Sequence, residues 1–402
     1  MDGKKKLSII KYEDIRFRES EDSIKATFLK YYYFIINKEE LEKIGHYKVY
    51  NDKIEFEASE RSVTNKFNLI LQKGLSNLKS LYGKETIYIH KGMNIPLIGT
   101  NEFGIVDRDT NLIELKPHSS CNLNCIYCSV DAGALSKKTR EFVIEEKYLV
   151  EEFKKVAAIK KHPIEIQINP QGEPLMYSRI AELIKDLKEI KNVETVSMNS
   201  NGIMLNEELI KSLSEAGLDR INISLNTAVQ ETADKLAGSK YDLTRLKKMI
   251  ELAPFDILIA PLIIPTYNDE ELSDLIQFCK GLKKKVRFGP QNFLEYQKGR
   301  NPVKSKSWEW FLELLEKNEA KHHVKLISTK EDFNILEDER IPKPFKKNDS
   351  VTAYVALHGK YKREYICVAS KRCITVIGDL KIGDKIKVRI VRAKHNIFKG
   401  II

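Results

Sequence analysis

The sequence predicts an α/β fold in the middle of the chain, followed by a small all-β domain. Between residues 112 and 288, short apolar runs alternate with amphipathic stretches of helical length, a pattern typical of right-handed βαβ units and a parallel sheet. After residue 349, short stretches of alternating apolar and polar residues are separated by glycines, which is typical of a small barrel. A chain of 402 residues has room for two or three domains.

The predicted elements of the α/β region can be placed one by one. We predict six strands, at residues 112–116, 164–168, 193–198, 220–225, 257–263 and 285–288. Helices are predicted at 141–159, 177–190, 206–216, 228–252 and 269–282, and a further amphipathic helix at 304–317. Catalytic and binding residues in parallel α/β barrels lie on the loops at the carboxyl ends of strands. We therefore expect the functional side chains on those loops.

Three cysteines follow the first predicted strand directly. Cys121, Cys125 and Cys128 are spaced C-x3-C-x2-C, with Tyr127 just before the last. Three thiolates on a short loop can hold three corners of a 4Fe-4S cluster and leave one iron open to a small molecule. This spacing makes an iron-sulfur site the leading interpretation.

Two other interpretations of the cysteines stay open. A structural zinc normally takes four Cys or His ligands; His118 is a candidate fourth, but no second C-x2-C pair occurs in the chain. Disulfides fit less well, because we see no secretory signal and three cysteines do not pair among themselves. The other cysteines, Cys279, Cys367 and Cys373, are interpreted as packing thiols.

The cysteine segment resembles the radical S-adenosylmethionine (SAM) superfamily, and the resemblance extends over residues 110–300. It implies a partial (β/α)6 TIM-like barrel with a 4Fe-4S cluster and SAM as cofactors. The methionine part of SAM would chelate the open iron, and an electron from a donor such as ferredoxin or flavodoxin would cleave SAM to a 5′-deoxyadenosyl radical. That radical abstracts hydrogen from the substrate.

The same resemblance implies which residues contact SAM. Gly172 and Glu173, after the second strand, are similar to the superfamily's G-G-E-P segment, although Gln171 replaces its first glycine. Ser200 after strand three, and Ser224 and Asn226 at the end of strand four, match positions that hold the SAM methionine and ribose. Taken singly, each segment is also consistent with an ordinary turn.

The positive charge is concentrated at the end of the chain. Residues 349–402 contain 12 Lys or Arg and 4 Asp or Glu, a net +8 out of +11 for the whole chain. The segment resembles the TRAM domain, a small OB-like barrel that binds RNA, and concentrated charge of this kind is typical of a phosphate-backbone binder. We therefore predict RNA, with tRNA first, as a partner of residues 349–402. Lys298 and Arg300 are candidate phosphate contacts too, or part of a solvated loop.

The predicted organisation has four parts. They are an N-terminal α+β extension (1–108), the radical SAM core (109–305), a helical extension and linker (306–348) and the TRAM-like all-β barrel (349–402). In the first part, the aromatic run at residues 30–36 is predicted as a buried strand. No apolar run reaches membrane-spanning length and the basic start is not followed by a long apolar stretch, so we expect a cytoplasmic protein with no membrane partner.

Three functions are compatible with these observations. The leading one is a radical SAM enzyme that modifies RNA, and methylthiotransfer is disfavoured because no cysteine precedes Cys121 to hold a second cluster. The second is a radical SAM enzyme acting on a protein or small metabolite. The third is an iron-sulfur RNA-binding regulator without turnover. The reacting atom and the catalytic residues beyond the cofactor site are not predicted.

Overall fold

The computed structural model of the protein describes residues 7–402, and the basic tract at residues 1–6 lies outside them. Two compact units are present. The first comprises the chain up to residue 89 together with residues 139–143; the second comprises residues 90–138 and 144–402. Within residues 7–402, no helix is both long and apolar enough to cross a membrane.

The first unit contains two sheets and two helices. The strands of this part of the chain are β1 (Leu7–Lys11), β2 (Ile15–Glu19), β3 (Ser23–Phe28), β4 (Tyr32–Asn37), β5 (Tyr47–Val49), β6 (Lys53–Glu57), β7 (Lys79–Ser80) and β8 (Glu85–Ile89). The next three strands along the chain are β9 (Gly104–Asp107), β10 (Leu112–Lys116) and β11 (Arg140–Ile144). The sheets have the orders β1-β6-β5 and β11-β8-β7-β4-β3-β2.

The core of the first unit forms around the second of its helices, α1 (Lys38–Glu42) and α2 (Glu60–Ser76). Phe67 of α2 is fully buried and its ring lies 6.3 Å from the rings of Phe17 and Phe56. The aromatic run at 30–36 forms β4, in which alternate side chains, beginning with Tyr32, are buried. The prediction of a strand there is confirmed.

The second unit is built on a seven-stranded sheet. Its further strands are β12 (Ile164–Ile168), β13 (Val193–Ser200), β14 (Arg220–Ile223), β15 (Asp256–Ile259) and β17 (Arg287–Phe288), while β16 (Leu262–Ile263) pairs with β18 (Gln291–Asn292). The order is β17-β15-β14-β13-β12-β10-β9, and every neighbouring pair is parallel except β9 and β10. The six parallel strands therefore lie side by side in chain order, as the βαβ pattern predicts.

Helices connect these strands. They are α3 (Glu146–Ala157), α4 (Ile180–Lys188), α5 (Glu207–Glu215), α6 (Gln230–Ala237), α7 (Leu243–Leu252), α8 (Leu272–Lys280) and α9 (Trp308–His322). Each predicted helix overlaps an observed one, and the predicted helix at 228–252 is two helices. Gly238, at φ +62°, ends the first of these two, because a left-handed residue terminates a helix.

Two predicted elements are wrong in part. The predicted helix at 141–159 begins instead as strand β11, because residues 140–144 pair with β8 in the six-stranded sheet, and the helix starts only at Glu146. The predicted strand at 257–263 is interrupted between β15 and β16. Pro261 lies in the gap, and proline has no N–H to donate to a sheet.

Residues 350–401 form a closed five-stranded barrel. Its strands are β19 (Ser350–His358), β20 (Glu364–Ala369), β21 (Arg372–Ile377), β22 (Lys385–Arg392) and β23 (Lys399–Ile401), in the order β19-β20-β21-β23-β22. The predicted small barrel is confirmed, and the short β23, which the residue pattern did not single out, completes the closure. Phe345, from the predicted linker, is buried in the barrel core against Phe398, with ring centroids 5.2 Å apart.

Candidate active site

The three cysteines lie on the loop after β10, at the carboxyl end of that strand. Each is a free, half-buried residue. Burial raises the pKa of Cys121, and the neighbouring Cys125 and Glu173 raise it further. Burial, followed by the effect of Cys128, also raises the pKa of Cys125 to about 12. The three thiols and Glu173 therefore lie within electrostatic range of one another.

This donor set fits an iron-sulfur cluster. Iron binds the thiolate form of cysteine, and close, enclosed thiolates are unfavourable until a cation compensates their charge. A cubane cluster takes one thiolate at each of its iron corners, so its ligands need not converge on a single point. Within residues 7–402, no group of three His, Cys, Asp or Glu side chains is arranged around one point so as to hold a single metal ion.

His118 joins two loops of the site and is not available as a ligand. Its Nδ1 accepts a hydrogen bond from the Ser120 amide at 3.3 Å, and its Nε2 lies 2.9 Å from the carbonyl oxygen of Glu173. Burial lowers the pKa of His118 to about 3, so the ring is neutral and Nε2 carries the proton that it donates. The imidazole thus ties the cysteine loop to the loop after β12.

Gly172 allows those two loops to approach closely. A Cβ at this position would lie 1.9 Å from the carbonyl oxygen of Ser120, well inside contact distance. The next amide, that of Glu173, donates to the same oxygen at 2.8 Å. The structure therefore supplies a packing reason for a glycine at the position that the sequence singled out.

Glu173 and Ser200 are brought together, as predicted for loops at one edge of a parallel sheet. The Glu173 carboxylate accepts hydrogen bonds from the Ser200 hydroxyl at 2.6 Å, the Asn201 amide at 2.8 Å and the Leu175 amide at 3.1 Å. Burial nevertheless raises its pKa to about 7. This carboxyl is enclosed, well oriented and electrostatically suited to a cationic partner.

Ser224 and Asn226 line a cleft beside the cysteine loop. The cleft is also lined by Tyr127 and Asn201. Asn226 Nδ2 donates to the Tyr127 hydroxyl, and its Oδ1 accepts from the Leu262 amide at 2.9 Å. The loops after β10, β13 and β14 therefore meet at this cleft.

Arg300 clamps the cysteine loop. Its guanidinium donates to the Asp131 carboxylate at 2.8 Å and to the carbonyl oxygens of Cys125 and Ala132 at 3.0 and 2.8 Å. Lys298 pairs with Glu364 at 2.6 Å. Both side chains have partners within the chain, and the Lys298 side chain stays 44% exposed, so a phosphate contact or a solvated loop at these two residues stays a prediction.

The remaining cysteines are buried in the packing of the second unit. Cys279, Cys367 and Cys373 are each no more than 4% exposed. Burial raises the pKa of Cys279 and of Cys367 to about 12. The Cys373 thiol donates to the carbonyl oxygen of Pro96 at 3.0 Å.

The sequence did not single out every residue of the site. Asn201 could have been found, since it lies between Ser200 and a glycine in the predicted turn and its amide reaches Glu173. The sequence singled out His118 only as a candidate zinc ligand and Arg300 only as a candidate phosphate contact. Their hydrogen-bonding roles carry no local signal, because their partners are 55 and up to 175 positions away.

The model of the Radical SAM superfamily matches residues 115–279. The chain is a member of the radical SAM superfamily. Proteins of this superfamily use a 4Fe-4S cluster and SAM. The matched region begins within β10 and includes the three cysteines, Glu173, Ser200, Ser224 and Asn226.

Curated relatives of this radical SAM protein fall into two groups. An uncharacterized protein of Methanocaldococcus jannaschii is 38% identical over 370 residues, which are 82% of this chain and 84% of that protein. GTP 3′,8-cyclases of Aquifex aeolicus and Limosilactobacillus fermentum are 29% and 32% identical over 46% and 42% of this chain. The chain spans 57% and 50% of the lengths of these two cyclases.

Solved structures similar to this radical SAM protein include Streptococcus suis SuiB bound to S-adenosylmethionine. The TM-score is 0.42 at 15% identity, and the match covers 79% of this chain and 71% of the SuiB chain. Kitasatospora setae TsrM, a radical S-adenosylmethionine methyltransferase with cobalamin and a 4Fe-4S cluster bound, has a TM-score of 0.36, 15% identity and coverage of 46% and 38%.

Proposed function

We propose that this radical SAM protein is an enzyme that reductively cleaves SAM in order to modify RNA, with tRNA as the first candidate. Superfamily membership supports the cofactor chemistry. The observation that carries the choice of RNA is a basic, partly aromatic face on the barrel of residues 350–401.

We define the basic face as Lys385, Lys387 and Arg389 of β22 together with Thr352 and Tyr354 of β19. All five side chains are exposed. The antiparallel register places Lys385 opposite Tyr354 and Lys387 opposite Thr352. The Tyr354 ring is 55% exposed, with the Lys385 ammonium 5.8 Å from its centroid. Cations beside an open aromatic ring suit a strand of nucleic acid, because they neutralise phosphates while a base stacks on the ring.

The architecture supports the same proposal. We assign residues 349–402 to a TRAM-like domain, because a closed five-stranded barrel with net +8 charge has the shape and field expected of one. We assign the six parallel strands in chain order to a partial (β/α)6 barrel, with residues 109–305 as the core and 306–348 joining it to the tail.

The mechanism assigns each loop a role in binding. Cys121, Cys125 and Cys128 would hold the cluster, and Arg300 keeps their loop in shape. When bound, the cluster would supply the electron for reductive cleavage of the bond between sulfur and C5′ of SAM to methionine and a 5′-deoxyadenosyl radical, and ferredoxin or flavodoxin would reduce the cluster. The loops after β12, β13 and β14 would orient SAM for this step.

The SAM-binding side chains divide by the part of SAM that they address. Glu173, which Ser200 orients, would accept a hydrogen bond from the amine of the methionine part. Ser224 and Asn226, on the cleft, would address the ribose hydroxyls. Tyr127 fixes Asn226 through its hydroxyl, so the cysteine loop and the ribose site are linked directly.

Mass spectrometry of tRNA nucleosides from a strain that lacks this protein tests the RNA proposal. We expect one modified nucleoside to disappear and to return when the wild-type chain is restored. Restoration with Cys125→Ala should fail, because the cluster is lost. A complete nucleoside profile in the deletion strain, for tRNA and rRNA alike, would contradict an RNA substrate.

A second candidate substrate is a small nucleotide. The observation in its favour is the similarity to proteins named GTP 3′,8-cyclases, at 28–32% identity over roughly the length of the core. Under this alternative, nucleoside triphosphates would stimulate SAM cleavage by the purified protein and tRNA would not.

A further inference from the structure

The loop between β19 and β20 of the barrel reaches the SAM-contact loop after β12. Lys360 in this loop is 3% exposed. Its ammonium donates a hydrogen bond to the side-chain oxygen of Gln171 and lies 2.9 Å from the carboxylate of Glu102. The barrel is thus in direct contact with the segment that carries Glu173.

Gln171 is the position at which this chain departs from the superfamily-like G-G-E-P segment. Its side chain is buried, and both ends of its amide are used. The Nε2 donates to the carbonyl oxygen of Asn101 at 2.8 Å, while the Oε1 accepts from Lys360. A glycine makes neither contact, so the glutamine ties the backbone at 171–173 to the barrel.

A second contact from the same loop reaches the segment that supports the cysteines. Glu364, at the start of β20, pairs with Lys298 at 2.6 Å and accepts a hydrogen bond from the Lys360 amide at 3.1 Å. The Tyr361 ring packs under the Lys298 ammonium, 4.3 Å from its centroid. Since Lys298 is two positions from Arg300, one barrel loop braces both the Glu173 segment and the clamp on the cysteine loop.

Three lysines of this junction set the charge state of Glu102. Burial would raise the pKa of Glu102, but Lys360, followed by Lys138 and Lys298, lowers it below its ordinary value. Glu102 is therefore ionised. An ionised carboxylate in such an enclosed position holds the Lys360 ammonium firmly, and an ammonium held in this way keeps its hydrogen bond to Gln171.

We propose that Lys360 is a positioning residue for SAM, acting through Gln171 on Gly172 and Glu173, so that the barrel completes the SAM site of the core. This inference rests on the proposed function, because it takes Glu173 as a SAM contact. SAM affinity then depends on a residue of the barrel even when no RNA is present.

A SAM titration of the reduced, cluster-loaded protein without RNA tests this inference. The change in the electron paramagnetic resonance spectrum of the cluster reports SAM binding. Lys360→Met alone would leave the buried Glu102 carboxylate without its ion-pair partner. The main variant is therefore Lys360→Met with Glu102→Gln, which removes both charges together. We expect about tenfold weaker SAM binding, the effect of losing roughly one hydrogen bond, at unchanged iron content.

Three further variants sharpen the test. Gln171→Ala should weaken SAM binding to a similar extent, and combining it with the Lys360 and Glu102 changes should add little, because all three act through one contact. Rates of 5′-deoxyadenosine release should show a raised KM for SAM and a much smaller change in kcat. Lys362→Ala, an exposed lysine two positions away, is the control and should titrate like the wild type.

The outcomes separate this inference from the function on which it rests. If the wild type binds SAM and both the Lys360/Glu102 and the Gln171 variants bind it equally well, the positioning role is wrong and the proposed function stands. If the loaded wild type neither binds nor cleaves SAM, the proposed function is wrong and this inference fails with it.

Discussion

The hydroxyl of Ser200 donates a hydrogen bond of 2.6 Å to the carboxylate of Glu173. The two residues are 27 positions apart: Ser200 ends β13, and Glu173 lies on the loop after the neighbouring strand β12. Carboxyl ends of adjacent parallel strands share one edge of a sheet, which is why two weak sequence segments combine into one polar site.

Replacing Glu173 by Gln should change how stability depends on pH. Burial raises the pKa of Glu173 from 4.5 to about 7. As pH rises through that interval, the unfolded chain releases this proton and the folded chain keeps it, so the free energy of unfolding of the wild type falls relative to Glu173→Gln. The fall is about 1.4 kcal/mol per pKa unit. Urea unfolding of the two apo proteins across this interval measures it, and a difference that does not vary with pH would contradict the assignment.

Arg300→Ala should lower cluster loading. The substitution removes the three hydrogen bonds that hold the cysteine loop and leaves Asp131 without its ion pair, a local loss of about 3 kcal/mol or more. Iron content per chain after anaerobic reconstitution is the measurement. Lys304→Ala, at a lysine whose side chain is 92% exposed in the same segment, should load like the wild type. Full loading of Arg300→Ala would show that the clamp is not needed.

Gly172→Ala should separate the loops after β10 and β12. The added Cβ would lie 1.9 Å from a backbone oxygen of Ser120, which cannot move aside as a flexible side chain could. We expect destabilisation of about 1–3 kcal/mol and loss of most SAM cleavage. Gly281→Ala is the matched control, since its nearest neighbour would be at 3.4 Å. Cleavage by Gly172→Ala at the wild-type rate would be inconsistent with this packing.

The basic face and its tyrosine should affect RNA binding in different ways. Replacing Lys385, Lys387 and Arg389 together by Ala should reduce the slope of log affinity against log salt by about 2–3, because each phosphate contact contributes close to one unit. Tyr354→Ala should weaken binding by about 1–3 kcal/mol through lost stacking and leave that slope unchanged. Filter binding of tRNA at several salt concentrations measures both. Equal slopes for the triple variant and the wild type would show that the basic face does not bind RNA.

Much of the fold and the cofactor site follows from local patterns. The parallel strands are short, buried runs, and the cysteines, Glu173, Ser200 and Asn226 come directly after four of them, so their meeting at one edge was predictable. The elements that the sequence alone did not predict depend on long-range pairing. Strand β11 exists because it pairs with β8, and the apolar run at 142–144 is equally compatible with the start of a helix.

The supporting contacts were unpredictable for the same reason. Arg300 reaches Asp131 across 169 positions, and Lys360 reaches Gln171 across 189. An arginine or a lysine in a polar loop gives no sign of such a partner, since charged loop residues are usually solvated. The glutamine that replaces a glycine at position 171 could be seen in the sequence. Its structural reason, the hydrogen bond from Lys360 of the barrel, could be seen only in the folded chain.

The most direct test of the central claim is the release of 5′-deoxyadenosine by the cluster-loaded protein under anaerobic conditions, with a reductant and SAM. We predict that the wild type releases 5′-deoxyadenosine together with methionine, that tRNA increases the rate, and that Cys121→Ala, Cys125→Ala and Cys128→Ala each release none. If the fully loaded wild type releases no 5′-deoxyadenosine with or without tRNA, this chain is not a SAM-cleaving enzyme and the account is wrong.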